Sequence, residues 1–212
     1  MRYQVYLFDL DGTLLDTLSD LTAATNAALA AYGCPARTRE EVKGFVGNGI
    51  RLLIERAAPA GTPYLEEIFS KFKTYYAAHC FDHTRPYPGV EDMLREIGRQ
   101  GGKAGIVSNK ADFAVQELTG RFFKGLVQAA AGENEGAGIR KKPAPDLVHS
   151  VLGRLGEDGT GAVYVGDSEV DIQTAKNAGL PCISVTWGFK TREFLLANGA
   201  TRLVDRPEEI CC

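Results

Sequence analysis

The sequence has no apolar run approaching the roughly 20 residues that span a bilayer, and its opening stretch MRYQVYLFDLDG turns polar after a handful of residues. Neither a membrane contact nor a secretory leader is expected. Basic residues are in no surplus: 24 Lys and Arg stand against 27 Asp and Glu, a net charge of −3. A nucleic-acid partner held by a basic surface is therefore not expected, although a local basic patch around a small anion is compatible with this balance. The five cysteines, at 34, 80, 182, 211 and 212, are scattered and lack CxxC spacing. Such a set reads as reduced thiols in a cytoplasm rather than a disulfide framework. The adjacent Cys211 and Cys212 are expected to be exposed at a frayed end, without a redox role. No repeat or low-complexity tract is present, and 132–138 (GENEGAG) reads as a Gly-rich loop. What remains, 44% hydrophobic and 24% charged over 212 residues, is the balance of a soluble globular chain with one large domain or two modest ones.

Short apolar runs alternate with amphipathic stretches, the pattern of an α/β protein with a parallel sheet. Five strands are predicted, at 3–8, 103–107, 126–130, 162–165 and 182–185. Each is mostly apolar on both faces, as a sheet covered by helices on both sides requires. Residues 16–81 break the alternation, with helical patterns and no strand. Leu18, Leu21, Thr25, Ala28 and Leu29 share one face, closed by Gly33. Leu65, Ile68, Phe69, Phe72 and Tyr76 share another, opened by Thr62 as N-cap and Pro63 as first helical residue. The expectation is a discontinuous core of 1–15 and 82–212 carrying an all-helical domain at 16–81, with hinges at 12–16 and 82–89.

Four segments carry candidate chemistry. Asp9 and Asp11 fall where the first strand ends, and side chains two apart on an extended chain point to the same side. Two like charges so close call for a cation or a shared proton; a solvated acidic turn is the alternative, and it does not explain why the pair ends so apolar a strand. Ser108 and Asn109 follow the second strand, where a hydroxyl and an amide can hold a phosphoryl oxygen or simply make a turn. Lys142, held extended by the proline that follows it, can reach a phosphate or belong to a solvated basic loop. Asp167 and Asp171 span a strand-to-helix turn and can converge on a hard cation or cap the helix. Ligands of open α/β sheets bind outside the carboxyl ends of the strands, where all four segments are predicted to lie.

In order and spacing, FDLDGTLLD, IVSNK, KKPAPD and GDSEVD resemble the motifs of the haloacid dehalogenase-like superfamily, and specifically its phosphoglycolate-phosphatase-like branch. The resemblance covers essentially the whole chain. It implies a Rossmann-like parallel five-stranded core sheet flanked by helices, with a helical cap inserted where residues 16–81 fall. It also implies that Asp9 attacks phosphorus and becomes an aspartyl phosphate. Asp11 would protonate the leaving oxygen and then activate water. Ser108 would bind the phosphoryl group with support from Asn109, and Thr13 would add a hydroxyl and an amide. Lys142 would neutralise phosphoryl charge. Mg²⁺ would be held by Asp9, the backbone carbonyl of Asp11 and Asp167, with Asp171 a ligand or one step behind, and Ser168 nearby. Asp16 would cap the first helix of the insert.

Gly47, Asn48 and Arg51 lie in FVGNGIR, a glycine-rich turn into a helix whose N-terminus could meet an anionic substrate. The branch carries a similar Gly-Asn-Gly turn, which supports a small acidic phosphate ester; a plain interhelical turn is the other reading. His79 and His83, four apart, read as a helix end rather than a zinc site. Trp187 reads as core packing or a cleft wall. The expected partner is a small phosphorylated metabolite, acted on by a monomer or homodimer. A pyrophosphatase and a β-phosphoglucomutase-like transferase are the enzyme alternatives, and a catalytically silent binding module is the non-enzyme one. The acid at Asp11 argues against dehalogenation, since dehalogenases lack it.

Overall fold

The computed structural model describes residues 2–134 and 138–211. Among these, eight strands alternate with nine helices. In chain order they run β1 (Val5–Phe8), β2 (Leu15–Asp16), α1 (Leu18–Ala30), α2 (Arg39–Phe45), α3 (Ile50–Ala57), α4 (Leu65–His79) and β3 (Arg85–Pro86). The chain continues through α5 (Val90–Arg99), β4 (Lys103–Ala111), α6 (Asp112–Phe122), β5 (Ala129–Glu133), α7 (Asp146–Leu155) and β6 (Ala162–Gly166). It ends with α8 (Glu169–Asn177), β7 (Cys182–Val185), α9 (Arg192–Ala197), β8 (Leu203–Val204) and a 3-10 turn, Pro207–Cys211.

Six strands form one parallel sheet in the order β5-β4-β1-β6-β7-β8. This is one strand more than the sequence predicts: β8 has only two residues, too few for a periodic signal. The strand predicted at 126–130 is shifted to Ala129–Glu133. Strand β1 lies at the centre, with Phe8 opposite Ile106 on one side and Val165 on the other. Its residues alternate between two cores. Tyr6 and Phe8 pack with Met93 and Leu94 of α5 and Leu118 of α6, while Val5 and Leu7 pack with Val148 and Val151 of α7. All four β1 residues are fully buried, and each large apolar side chain so buried contributes about 2 kcal/mol.

Between β2 and β3 the chain is helical. Helices α1 to α4 close around Leu21, Ala28, Val42, Ile54, Ile68 and Phe72, and two core residues, Ala114 and Phe189, join that cluster. The insert leaves and returns through a short antiparallel ribbon, with Leu15 opposite Pro86 and Asp16 opposite Arg85. Buried Asp20 of α1 fastens the returning chain by accepting from the backbone N–H of His83 (2.9 Å) and Thr84 (2.9 Å) and from the Thr84 hydroxyl (2.8 Å).

Three local expectations change. Thr17, not Asp16, is the N-cap of α1, and Asp16 instead accepts from the Leu18 N–H at 3.2 Å. Helix α4 starts two residues later than Thr62-Pro63 suggests, with Tyr64 as its N-cap. Cys211 packs against the main core rather than lying frayed, while Cys212 lies outside the described residues, as does part of the 132–138 loop. His79 ends α4 and pairs with Asp82 at 2.9 Å, as a helix end does. Among the described residues no helix is long and apolar enough to cross a membrane.

Candidate active site

The strand order reverses at β1: β4 and β5 extend to one side, and β6, β7 and β8 to the other. Such a reversal opens a crevice beyond the carboxyl ends of the central strands. Asp9 and Asp11 enter it from β1, Ser108, Asn109 and Lys110 from the end of β4, Asp167 and Ser168 from β6, and Phe189 and Lys190 from the loop after β7. The insert covers it with Leu21 of α1, Val46, Gly47 and Gly49 of the α2–α3 turn, and Ile50 and Leu53 of α3. The cleft is narrow, with about 30 Å³ of free space, room for a few waters.

Lys142 lies behind Asp9, beneath the cleft wall rather than on it. Its ammonium is 2.9 Å from the Asp9 carboxylate and 2.8 Å from Asp171, and its side chain is only 2% exposed. Burial alone would lower its pKa, but Asp171 and Asp9 outweigh burial and hold it well above the ordinary lysine value. The carboxylates are not relieved equally. Burial pushes the Asp9 pKa up to about 7, against the pull of Lys142 and helped by the charge of Asp171. Asp167 is also pushed well above the ordinary range, by burial and then by Asp171 and Asp9. Asp171 has both oxygens engaged. Oδ1 accepts from Lys142 and from the Tyr164 hydroxyl at 3.2 Å, and Oδ2 accepts from the Ser168 hydroxyl at 2.6 Å and the Ser168 N–H at 3.1 Å. It is therefore both the capping partner of α8 and the anchor of Lys142.

Asp11 shares the cleft but faces another cation. Lys110 donates to its two oxygens at 2.9 and 3.1 Å, and the Thr17 hydroxyl donates to Oδ1 at 2.7 Å. Ser108 is buried, and its oxygen accepts from the Lys110 N–H at 3.2 Å. Asn109 acts as a clamp: its amide donates to the carbonyls of Gly47 (3.2 Å) and Lys142 (3.0 Å) and accepts from the Lys142 N–H (2.7 Å). One side chain thus ties the insert turn and the Lys142 backbone to the end of β4.

The model of the haloacid dehalogenase-like hydrolases matches residues 6–185, the stretch that contains Asp9, Asp11, Ser108, Lys142, Asp167 and Asp171. The chain belongs to this family. Phosphoglycolate phosphatase 1 of Pseudomonas aeruginosa is 31% identical over 98% of this chain and 78% of that relative. The N-acetylmuramic acid 6-phosphate phosphatase of the same organism is 31% identical over 99% of this chain and 94% of its own length. Among solved structures, a protein from Lactobacillus delbrueckii subsp. bulgaricus superposes with a TM-score of 0.92 at 38% identity, covering 99% and 97% of the two chains. CbbY from Rhodobacter sphaeroides, crystallised with phosphate, superposes with a TM-score of 0.79 at 28% identity over 98% and 96%. The chain is a phosphatase of the phosphoglycolate-phosphatase-like branch.

In this haloacid dehalogenase-like hydrolase, one carboxylate oxygen from each of Asp9, Asp167 and Asp171 lies within 4.8 Å of the other two. Three carboxylates around one ammonium leave negative charge uncompensated, and an all-oxygen donor set suits a hard cation such as Mg²⁺. The fold presses Asp167 into this position. A Cβ on Gly12, at φ +84°, would meet Asp167 Oδ2 at 2.4 Å, and one on Gly188 would meet Asp167 Cβ at 2.4 Å. The residues present therefore fit a divalent metal. The Asp11 carboxylate stands outside the cluster, so a metal role for Asp11 rests on its backbone carbonyl. Asp171 accepts four hydrogen bonds, the Lys142 ammonium among them, whereas Asp167 accepts from the Phe189 N–H at 2.6 Å and from the Thr13 hydroxyl at 3.4 Å; Asp9 and Asp167 are therefore the better placed ligands.

Other expected residues stand elsewhere. Thr13 is buried beneath the cleft, its hydroxyl 3.4 Å from Asp167 Oδ1, and does not line it. Neither Asn48 nor Arg51 lines it. The Arg51 guanidinium is held by Glu55 at 2.9 Å and Glu66 at 2.7 Å, because residues one turn along α3 and across on α4 supply carboxylates that neutralise it. Trp187 donates to the Thr13 carbonyl at 3.0 Å and packs on the main core. The sequence reading missed Lys110 and Tyr164. Lys110 sits two residues after Ser108 on an extended strand, a spacing that puts both on one side. Tyr164 gives no signal of its own in so apolar a strand.

Proposed function

We propose that this phosphatase hydrolyses a small phosphate monoester of the phosphoglycolate kind, with Mg²⁺, through an aspartyl phosphate on Asp9. The observation that carries the reading is Asp9 itself: a buried carboxylate, oriented by Lys142 at 2.9 Å, in one cleft with Ser108 and Asp11. In the first half-reaction an Asp9 oxygen bonds to phosphorus, the ester P–O bond breaks, and the departing oxygen takes a proton from Asp11. In the second, water attacks the acyl phosphate, gives its proton to Asp11 and restores Asp9. Ser108 holds a phosphoryl oxygen, and Lys142 keeps Asp9 aimed while offsetting phosphoryl charge. Asp9, Asp167 and the Asp11 carbonyl would hold the metal, which supplies charge stabilisation to the transferring phosphoryl group. The narrow space and the apolar insert wall of Leu21, Val46, Ile50 and Leu53 favour a short leaving group and exclude water from it.

The test is phosphate release by purified protein with Mg²⁺ from 2-phosphoglycolate, N-acetylmuramic acid 6-phosphate, pyrophosphate and β-glucose 1-phosphate. Release should be fastest from 2-phosphoglycolate and should fall by at least about 10³-fold in Asp9→Asn. Absence of Mg²⁺-dependent release from every compound would overturn the phosphatase reading. Conversion of β-glucose 1-phosphate to its 6-phosphate isomer would move the chain to the mutases.

A further inference from the structure

Lys110 is a buried cation at the seam between core and insert. Its side chain is 1% exposed, and its ammonium donates to both oxygens of Asp11, at 2.9 and 3.1 Å. The same ammonium lies 4.6 Å from the centre of the Tyr76 ring, which α4 of the insert brings across. A lysine has three N–H directions. Two are used by Asp11, and a third side is covered by an aromatic face that attracts cations. A lysine arranged to grip a phosphoryl group would aim its donors into the cleft instead. Asp11 is meanwhile the more accessible partner, at 14% exposure, and is held from its other side by the Thr17 hydroxyl at 2.7 Å. Two donors from two elements, β4 and the start of α1, thus fix the direction of one carboxyl group at the cleft edge.

We propose that Lys110 is a positioning residue for proton transfer: it aims the Asp11 carboxyl group at the leaving oxygen, and Tyr76 ties that aim to the seating of the insert on the core. This rests on the reading of Asp11 as proton donor and adds a residue that the motif comparison does not assign. Its physical basis is that proton transfer needs the donor within hydrogen-bond reach of the departing oxygen. A carboxyl group released from Lys110 can turn about its own side-chain bonds. The dependence on Tyr76 follows from position, because the ring reaches Lys110 only while α4 lies against the end of β4.

The test compares p-nitrophenyl phosphate, whose leaving group departs without a proton, with benzyl phosphate, whose alkoxide needs one. The parameter is kcat/KM, which covers the steps up to departure of the leaving group. Lys110→Met should lower kcat/KM for benzyl phosphate by about 10²-fold and for p-nitrophenyl phosphate by less than about threefold. Asp11→Asn should give the same split, and adding Lys110→Met to it should change little, the signature of two residues acting as one unit. Tyr76→Phe, which keeps the ring, should match wild type, and Tyr76→Leu should show the split at smaller size. If Lys110→Met does not fold, Lys110→Gln carries the same comparison. Equal losses on both esters, or losses that add to those of Asp11→Asn, would overturn the proposal and make Lys110 a phosphoryl binder or a purely structural ion. Should the cleft admit neither aromatic ester, acetyl phosphate and 2-phosphoglycolate carry the same comparison, and wild-type protein inactive on all four compounds would instead overturn the phosphatase reading beneath it.

Discussion

Lys142 contacts the Asp9 carboxylate at 2.9 Å, and yet the Asp9 pKa is held up at about 7, because burial and the charge of Asp171 together exceed what one ammonium supplies. Asp9 is thus kept short of positive charge by construction.

The first prediction follows from the sign of that shift. Between 3.8, the ordinary value, and about 7, native Asp9 retains a proton that the unfolded chain has released. Fewer protons on the unfolded state mean that stability falls as pH rises through this window. A metal that binds the deprotonated cluster opposes this fall. In EDTA, Tm should decline from pH 5 to pH 7.5 more steeply for wild type than for Asp9→Asn. Saturating Mg²⁺ should raise Tm by roughly 5 °C at pH 7.5 and very little at pH 5. Equal Mg²⁺ responses at the two pH values would contradict the assignment of Asp9 to the metal.

Removing the ammonium tests the same cluster from the other side. Lys142→Met leaves Asp9, Asp167 and Asp171 buried with no cation, and breaking a buried pair costs about 3–5 kcal/mol. For a chain of this size thermal unfolding should drop by roughly 10 °C. Lys142→Arg should recover only part of it, since a planar guanidinium does not replace a point charge between two carboxylates. A loss below about 1 kcal/mol would mean that the cluster is relieved in some other way.

Gly12 separates backbone strain from site chemistry. Gly12→Ala places a methyl 2.4 Å from Asp167 Oδ2 at a positive φ, whereas Gly33→Ala has a positive φ but nothing within 4 Å. Gly33→Ala should lose about 1–2 kcal/mol by denaturant unfolding, the cost of a left-handed non-glycine residue, and Gly12→Ala should lose more, because its methyl also displaces the buried Asp167 carboxylate. Gly12→Ala alone should also lose the Mg²⁺-induced rise in Tm. A normal Mg²⁺ response in Gly12→Ala would show that Asp167 is not needed for the metal.

The sheet and the core of the site were legible in the sequence because both are carried by local pattern. Apolar runs such as VYLF can be buried on both faces only within a covered parallel sheet, and Asp9, Ser108 and Asp167 each follow such a run directly. What escaped was whatever depends on the partner. Asp9 and Asp11 share the cleft as their spacing predicts, but no spacing says that Asp11 will choose Lys110, 99 residues away. Lys142 was marked by its proline; Lys110 had no comparable mark and passed for part of a turn. Arg51 was drawn toward the substrate by its neighbouring glycines, and the carboxylates of Glu55 and Glu66 that hold it elsewhere lie on the surface, where pattern carries least information.

Arg51 yields the fourth prediction. With its guanidinium held by Glu55 and Glu66 outside the cleft, Arg51→Ala should leave kcat/KM within about threefold of wild type, as expected for an exposed ion pair. A tenfold rise in KM with unchanged kcat would restore Arg51 to the substrate.

The two-residue ribbon of Leu15-Asp16 against Arg85-Pro86 has a consequence for how such a chain can diversify. Both ends of the insert are pinned at neighbouring rungs of one ladder, so the core fixes the gap between two attachment points, while Ala114, Phe189, Asn109 and Lys110 set what the helices strung between them must meet. A replacement must therefore span that gap and also keep the Thr17 hydroxyl on Asp11, the carbonyl that Asn109 bonds and the ring that covers Lys110. Variation in such a chain is thus freest in the parts of the insert that face away from these contacts, and most constrained where the insert meets the end of β4.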